Sequence, residues 1–370
     1  MQWVAHAAHL PAPVAVDAGD VALLGALTST DWIAGAPLRE CHGAARVRRL
    51  LHAGLLIGSG KALAVQREAD ETFQAQHWHG LAAAWHAASR WEGVDAAGAS
   101  EAAGMDTTRG LRAALGPPPP MLDDRGDPAQ AIALRRSPRT VFDDFLDSRA
   151  TCRNFAADVE LPLENLAQLL ERVFAARGQV HDALGFDVLK KTSPSGGALH
   201  PTECYLIARK VAGLPRGLYH YRPVDHALQP LPFDEAAVDA DRHPAALGMD
   251  ALDALAWLAV GGQRWFAEAH ALCVLAPRFR RNFWKYRDHA KAYRVCILDV
   301  GLLSQTLQLC ATEVGLGSYV TAAINEADIE RAFGLIHWRD GPLAVCGVGV
   351  RATILRKGEL DPNHKARPRA

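Results

Sequence analysis

A run of four consecutive prolines places the strongest constraint on how this chain can fold. The stretch reads GPPPPMLDDRGDP and spans residues 116–128 of a 370-residue sequence. Proline lacks a backbone N–H and its ring fixes φ, so the run cannot lie inside a helix or a central strand and favours an extended spacer. The sequence therefore predicts a linker here, and a chain of this length is expected to form two units around it.

The segment before the linker begins with a pattern typical of a winged helix. Apolar helices are predicted over residues 19–29 and 43–54, with a short helix or turn between them, and LLIGSGKALAV (55–65) predicts two short strands around a Gly-Ser-Gly turn. Residues 1–70 are therefore expected to form a small winged-helix-like module. The second of these helices carries Arg46, Arg48 and Arg49. We rank three interpretations of these arginines: a solvated outer face of the helix first, a peptide-docking module second and DNA binding last.

Residues 71–135 are expected to comprise a helical segment and the proline-rich linker. The segment contains His77, His79 and His86, which no cysteine or carboxylate joins at metal-ligand spacing. Structural histidines are the expected interpretation, and no metal site is predicted.

The net charge and the cysteines limit the classes of protein to which this chain can belong. The formal net charge is -1 and the pI about 7.0, whereas a dedicated nucleic-acid binder usually has a basic excess. The seven cysteines are odd in number and form no C-x-x-C pair, which indicates reduced thiols in a cytoplasmic protein. The N-terminus carries no secretory-signal pattern. The apolar run at 295–314 is interrupted by polar residues such as Asp299, so it predicts a helix buried on most sides of a soluble protein and not a membrane span.

The part after the linker alternates helical and strand patterns. The predicted elements are an amphipathic helix at 161–177, a strand at 203–211, a hairpin at 217–231, a buried strand at 271–279, a long helix at 292–314 and a last strand at 341–350.

Four segments of this part contain residues suited to a flat anionic ligand. They are SRATCRNF (148–155), TSPSGGALHPTE (192–203), RNFWKYRDHAKAYR (281–294), and EVGLGSYV (313–320) together with GVGVR (347–351). Arginines can bind a phosphate, and glycines allow backbone N–H groups to approach a ligand. Each segment also has an ordinary explanation as a surface arginine pair, a glycine turn, a nucleic-acid patch or a helix C-cap.

Together, in this order, the four segments resemble the nitroreductase-like flavin fold. DSRATCRNF, SPSGGALHPTECYL and FWKYRDHAKAYRVCILDVGLLSQTLQLCATEVGLG are similar to motifs of its SagB-type branch, the peptide-maturation (azoline) dehydrogenases. The resemblance covers about 136–351. The chain departs from the pattern at Thr151, where serine is usual, and at Ala150, where a second arginine is common.

The resemblance implies an α+β fold over residues 136–370, with a central, mostly antiparallel sheet flanked by helices and FMN at the interface of a homodimer. Arginines and Thr151 would hold the phosphate and ribityl end, the 193–197 residues would lie along the isoalloxazine, and the two later glycines would line its far edge. The implied FMN-binding residues are Arg149, Thr151, Arg153, Ser193, Ser195, Gly196, Gly197, Gly315, Gly317 and Arg351.

Lys285 and Tyr286 match the catalytic Lys-Tyr pair of azoline oxidases. A lysine desolvated beside a flavin and flanked by cations gives up its proton more easily, so it could act as a base. Tyr286 could donate to the ring nitrogen or relay the proton.

The expected function is FMN-dependent oxidation of azoline rings to azoles in a ribosomally synthesised peptide. The expected partners are the modified precursor peptide, a cyclodehydratase complex and a second copy of the chain, with no membrane or nucleic acid. One alternative is an FMN-dependent NAD(P)H nitroreductase or quinone reductase of small molecules. Another is a DNA-binding regulator that senses flavin or another ligand.

Overall fold

The computed structural model describes residues 3–366, apart from positions 8, 11, 29, 30, 124, 184, 239–245, 247 and 363. The elements before the linker are β1 (Trp3–Ala5), β2 (Val14–Val16), α1 (Ala18–Gly25), α2 (Gly35–His42), α3 (Ala44–His52), α4 (Ala64–Gln74), α5 (Gly80–Ser89), α6 (Ala96–Ala102) and α7 (Thr108–Leu115). Pro117–Pro120 lie exposed outside any helix or strand, as the sequence predicts.

Further helices and strands follow the linker. They are α8 (Val141–Ser148), β3 (Leu161–Pro162), α9 (Leu163–Phe174), β4 (Gly178–Val180), β5 (Val188–Lys190), β6 (Thr202–Ala208), β7 (Val211–Ala212), β8 (Gly217–Arg222), β9 (Ala227–Leu231), α10 (Ala251–Ala259), α11 (Arg264–Ala267), β10 (Ala271–Pro277), α12 (Phe279–Phe283), α13 (Lys291–Glu313), β11 (Gly317–Thr321), α14 (Glu326–Phe333), α15 (His337–Asp340) and β12 (Ala344–Gly349).

A six-stranded sheet organises the C-terminal unit. Its strand order is β11-β12-β10-β6-β8-β9, and each neighbouring pair is antiparallel. The edge beyond β11 is met by residues 150–152, where Cys152 donates its N–H to the carbonyl of Ser318. The opposite edge strand, β9, contains Pro230. The expected antiparallel sheet is thus confirmed, as are the predicted amphipathic helix and the 217–231 hairpin.

The sheet carries a hydrophobic layer on each face, because successive residues of a strand point to opposite sides. Leu206 and Cys273 pack with α9 and α13 on one face. Ile207 and Leu272 pack with α10 and α14 on the other. The functional segments described below lie around the first face.

Helix α13 has 23 residues and is about 34 Å long. It is the one helix in the described part of the chain that is long and apolar enough to cross a membrane, but it packs on the sheet. The helix is buried against the sheet as predicted, but one of its sides is exposed. Positions 294, 297, 298, 301, 302 and 305 form an exposed stripe, and Ile297, Leu298 and Leu302 make that stripe apolar.

The predicted strands at 55–65 are wrong. The N–H groups of Leu55 and Leu56 donate to the carbonyl of Leu50 and cap α3, and Leu56 joins a small core with Leu23 and Val47. The Ala- and Glu-rich sequence that follows forms α4, since these residues favour helix. The hairpin of this region, β1–β2, precedes α1 instead of following α3, so the winged-helix order is not found.

The arginines of α3 are largely engaged within the chain. Arg46 Nε lies 3.1 Å from an oxygen of the fully buried Asp20, and Arg49 binds its other oxygen. These ion pairs hold α3 against α1. Arg46 and Arg49 thus have a structural role, whereas Arg48 and much of the Arg49 side chain are exposed, as the solvated-face interpretation predicts.

Helix α5 and the residues around it pack on the C-terminal unit. His86 Nδ1 lies 2.9 Å from the hydroxyl of Tyr293, and its Nε2 lies 2.8 Å from the carbonyl of His337. Trp78 packs against Phe279 and Phe283. The expectation that His86 is structural is confirmed, and among the described residues no group of His, Cys, Asp and Glu is arranged to hold a metal ion.

Candidate functional site

The Ser-Gly-Gly loop, residues 195–200, is the most strained backbone near the sheet. Gly197, Ala198 and His200 have φ of 65°, 58° and 43°. Left-handed backbone is costly for residues other than glycine and concentrates at functional sites, so Ala198 and His200 must be held by their surroundings.

Asp299 of α13 binds this loop with both carboxylate oxygens. Ser195 Oγ donates to one over 2.5 Å, and the N–H of Gly196 donates to the other over 3.2 Å. The N–H of His200 in turn donates to Ser195 Oγ over 2.9 Å. Burial raises the pKa of Asp299, whereas the hydrogen bonds from Ser195 and Gly196 oppose that rise.

Two further contacts fix the loop. Arg281 Nε donates to the carbonyl of Leu199 over 3.1 Å. A Cβ at Gly196 would lie 2.2 Å from Cγ1 of Val295, so only glycine allows this approach to α13.

Gly197 faces the predicted catalytic pair. A Cβ at this position would lie 2.9 Å from Lys285 Nζ and 2.9 Å from the Tyr286 hydroxyl. The structure therefore brings Gly197, Lys285 and Tyr286 together, as the proposed roles require. Lys285 is exposed in the single chain, so the expected desolvation is not supplied by this chain alone.

The two serines of the loop region are already engaged in hydrogen bonds. Ser193 Oγ lies 2.8 Å from the hydroxyl of Thr306 on α13, and Ser195 is bound to Asp299. Their hydroxyls therefore attach the loop to α13, and neither is displayed as a free ligand for a ring.

Arg149 lies at the other end of α13. It donates to Gln308 Oε1 over 3.2 Å, and Thr151 pairs with Ser318 at the edge of the sheet. In the described part of the chain no carboxylate pairs with Arg149. The Arg149 guanidinium is thus a cation with an uncharged partner.

Arg153 is turned away from Arg149. Its guanidinium lies 6.0 Å from the ring centre of Phe266, which belongs to the opposite layer of the fold, and it donates to the carbonyl of Gly358. The two guanidinium groups therefore do not lie on one side of an extended segment as expected, because Arg149 contacts α13 and Arg153 contacts the opposite layer.

Arg351 is paired within the chain. Its Nη1 lies 3.2 Å from an oxygen of Glu359, whose side chain is 2% exposed, and its Nη2 donates to the carbonyl of Ala150. The N–H of Arg153 donates to Glu359 as well, over 2.7 Å. Arg351 therefore anchors the C-terminal segment. The resemblance implies that it binds the phosphate of FMN, but its guanidinium is engaged by these partners in the single chain.

The two later glycines have packing roles in the single chain. Gly315 has a φ of 72° and follows the end of α13. A Cβ at Gly317 would lie 2.5 Å from the sulfur of Cys152 and 3.0 Å from Cγ of Arg351. Gly317 thus allows the 150–152 segment to close on β11.

A cluster of charged and polar side chains lies beside the loop. Glu203 binds Arg278 Nε over 2.6 Å and His220 Nε2 over 3.1 Å, and Lys191 lies nearby. Burial lowers the pKa of Lys191, and burial lowers the pKa of His200 to about 4. His200 therefore enters the site as a neutral ring.

Sequence reasoning missed Asp299, Arg281 and Gln308 as site residues. In the sequence, Asp299 stands out only because it interrupts an apolar run, and Arg281 is only one of several basic residues in the segment 281–294. A buried acid in an otherwise apolar helix is itself a signal, because such a charge needs hydrogen-bond donors.

Comparison with known proteins supports the resemblance. Residues 146–350 match the model of the nitroreductase family. The nitroreductase-type protein MJ1384 of Methanocaldococcus jannaschii is 30% identical over 207 residues, which cover 56% of this chain and 89% of that protein.

Two further relatives are named for peptide processing. The trifolitoxin-processing protein TfxB of Rhizobium leguminosarum bv. trifolii is 28% identical over 177 residues, which cover 48% of this chain and 44% of TfxB. The microcin B17-processing protein McbC of Escherichia coli is 24% identical over 196 residues, which cover 52% of this chain and 63% of McbC. The match thus spans less than two thirds of either protein.

Proposed function

Since the chain belongs to the nitroreductase family, we propose that it is an FMN-dependent dehydrogenase in the maturation of a ribosomally synthesised peptide, oxidising thiazoline or oxazoline rings to azoles. The observation that carries the proposal is the approach of Lys285 and Tyr286 to Gly197. A base and a hydroxyl beside a strained glycine loop suit the removal of a proton next to a flat cofactor.

We propose that FMN lies along α13, in a groove that runs from the Gly197 loop to Arg149. At one end, the lack of a side chain at Gly197 lets Lys285 Nζ and the Tyr286 hydroxyl approach the loop backbone, since a Cβ there would lie 2.9 Å from each. At the other end, the Arg149 guanidinium is bound only to the Gln308 amide among the described residues, so it can take a phosphate. Positions 299 and 308 are about 13 Å apart along the helix, which separates the loop end of the groove from its cationic end.

The chain's own residues then account for the proton that leaves the substrate. Oxidation of an azoline to an azole removes two hydrogens, one as a proton from the ring carbon and one as a hydride. FMN, when bound, supplies the acceptor for the hydride. Lys285 Nζ takes the proton, and the Tyr286 hydroxyl holds the ring nitrogen by donating to it. Because Lys285 is exposed in the single chain, the bound ligand and a second subunit must exclude water from it.

The proposed second subunit is another copy of this chain. Helix α8 packs on α13, and both expose apolar side chains: Phe142 is 64% exposed, Leu298 60% and Leu302 42%. Soluble proteins seldom leave such a surface uncovered. We place a homodimer interface there, alongside proposed contacts with the precursor peptide and a cyclodehydratase complex in the cytosol. Nucleic acid is not proposed as a partner.

The test is mass spectrometry of a precursor peptide whose azolines have been formed by its cyclodehydratase. With the purified protein and FMN in molar excess over the rings, so that each hydride has an acceptor, each ring is expected to lose two hydrogens. Lys285→Ala should abolish this loss, whereas Lys61→Ala, at an exposed position outside the groove, should not alter it. Unchanged ring masses with the FMN-loaded wild-type protein would reject the proposal.

A reductase of small molecules is the second candidate, because MJ1384 is matched over 89% of its length. That activity runs in the opposite direction and consumes NAD(P)H. Rapid NAD(P)H oxidation with a nitroaromatic compound or a quinone, together with no change in the peptide, would favour it.

A further inference from the structure

We infer that Asp299 is a positioning residue that holds the Ser195–Gly197 loop against Lys285 and Tyr286, and that it couples this loop to helix α13. The effect of Asp299 on catalysis rests on the proposed function. The structural tether, meaning the hydrogen bonds that join Asp299 to Ser195 and Gly196, does not. It assigns to Asp299 and to the Ser195 hydroxyl a role in bracing the loop.

The first argument is the donor set of the carboxylate. Asp299 is 4% exposed, and its two oxygens accept from Ser195 Oγ and from the N–H of Gly196. No lysine or arginine forms an ion pair with it in the part of the chain that the structure covers. A buried carboxylate with these two donors is costly unless both bonds are made, so the side chain and the loop fix each other's position.

The second argument is the strain that follows the tether. Ala198 and His200 both have positive φ, and the N–H of His200 is bound by the same Ser195 hydroxyl that donates to Asp299. Without the carboxylate, the Ser195 hydroxyl loses its acceptor and the backbone can relax toward ordinary φ. Gly197 would then leave its position beside Lys285 and Tyr286.

The third argument concerns the neighbours of Asp299 on the helix. Leu298 and Leu302 belong to the exposed apolar stripe, whereas Asp299 faces the loop. A subunit docked on that stripe would therefore press on the helix that carries the tether. Assembly and loop geometry are coupled through Asp299.

The test compares Asp299→Asn, Ser195→Ala and the double variant of the full chain. The amide introduced by Asp299→Asn could accept only one of the two bonds, and Ser195→Ala removes one donor without altering the helix. FMN affinity, measured by flavin fluorescence, is expected to fall roughly tenfold to a hundredfold in each single variant, as for one charge-assisted hydrogen bond. The double variant should lose no more than the weaker-binding single variant, because both act through one contact.

Asp328→Asn is the matched control. Asp328 is also buried and also accepts from a backbone N–H, that of Gly93, but it lies on α14. The FMN affinity of this variant should equal that of the wild type. In turnover assays, Ser195→Ala should lower kcat and leave KM for the peptide unchanged, which a general loss of folding would not do.

Hydrogen exchange separates this inference from the proposed function, because it requires no flavin. The amides of Gly196 and His200 are expected to exchange at least tenfold faster in Asp299→Asn and in Ser195→Ala. If these amides exchange faster in the variants but the wild-type protein binds no FMN, the inference about the tether stands and the proposed function is rejected. Wild-type exchange and FMN affinity in a folded Ser195→Ala variant would overturn the inference, even if Asp299→Asn does not fold.

Discussion

Trp78 donates its indole N–H to the main-chain oxygen of Trp338 over 2.7 Å, across a sequence separation of 260 residues. The same ring packs against Phe279, Phe283 and Tyr293. These aromatic residues bracket the segment that carries Lys285 and Tyr286. The N-terminal unit therefore packs against the segment that we propose to be catalytic.

Trp78→Ala is expected to lower the free energy of unfolding by about 3–5 kcal/mol, since it removes a buried ring and leaves the carbonyl of Trp338 without this donor. Trp78→Phe keeps most of the packing and should cost about 1–2 kcal/mol. Urea denaturation measures both. Trp32→Ala, at a side chain 64% exposed, is the control and should change stability little. Equal losses for Trp78→Ala and Trp32→Ala would contradict this account.

Gly197→Ala is expected to abolish dehydrogenation, because the added methyl group would occupy the space beside Lys285 Nζ and the Tyr286 hydroxyl. Gly213→Ala is a matched control: its φ of 75° imposes similar strain, about 1 kcal/mol, and a Cβ there meets no atom within 4 Å. The two variants should melt at similar temperatures and differ in turnover. A Gly197→Ala variant with wild-type kcat would show that this space is not used.

Arg149 and Arg351 are expected to respond differently to replacement by alanine. Arg149→Ala should weaken FMN binding, measured by fluorescence titration, with little effect on stability, because its partner is the uncharged Gln308. Arg351→Ala should destabilise the fold by about 3 kcal/mol, since it removes the Arg351 cation from the buried Glu359 carboxylate and a donor from the carbonyl of Ala150. The reverse pattern would mean that Arg351 is the phosphate ligand after all.

Leu298→Asp is expected to convert a homodimer to monomers and to reduce FMN retention, because it places a charge in the proposed apolar interface. Light scattering coupled to size-exclusion chromatography measures the mass. Leu81→Asp, at an exposed leucine of α5, is the control for a new surface charge. A wild-type protein that is monomeric with FMN bound would place the cofactor site within a single chain.

The stability of the protein should decline in acid in part through His86. Burial lowers the pKa of His86 from its ordinary value of 6.5 to about 3. Below pH 6.5 the unfolded chain binds a proton at this position and the folded chain does not, so the folded state loses about 1.4 kcal/mol per pH unit until about pH 3. His86→Gln should flatten the slope of unfolding free energy between pH 7 and pH 5, and His52→Gln, at an exposed site, should not.

Much of the C-terminal unit follows from its sequence, because hydrophobic periodicity sets its strands and long helix. The order of elements in the N-terminal unit does not follow from its sequence. The local propensity of GSGKALAV is compatible with a hairpin, but its conformation depends on the packing of Leu56 in a small core. Tertiary contacts decide such short segments.

Within the site, the sequence picks out the Lys-Tyr pair and the glycine loop as separate segments, and the structure places them next to each other. The contacts of Arg153 and Arg351 do not follow from the sequence, because their partners, Phe266 and Glu359, are distant in sequence or lie beyond the last motif, and no local pattern pairs them. The hydrogen bonds of Asp299 to Ser195 and Gly196 also cannot be predicted from the sequence, because the loop and the helix are about a hundred residues apart and meet only in the fold.

The arrangement of the sheet edges has a consequence for solubility. An open edge strand is a template for a strand of another molecule, and such pairing leads to aggregation. One edge here is covered by residues 150–152, which bond to Ser318. The other carries Pro230, which has no N–H to offer an incoming strand. A Pro230→Val substitution would restore that donor, so it should make this edge more prone to pair with a strand of another molecule.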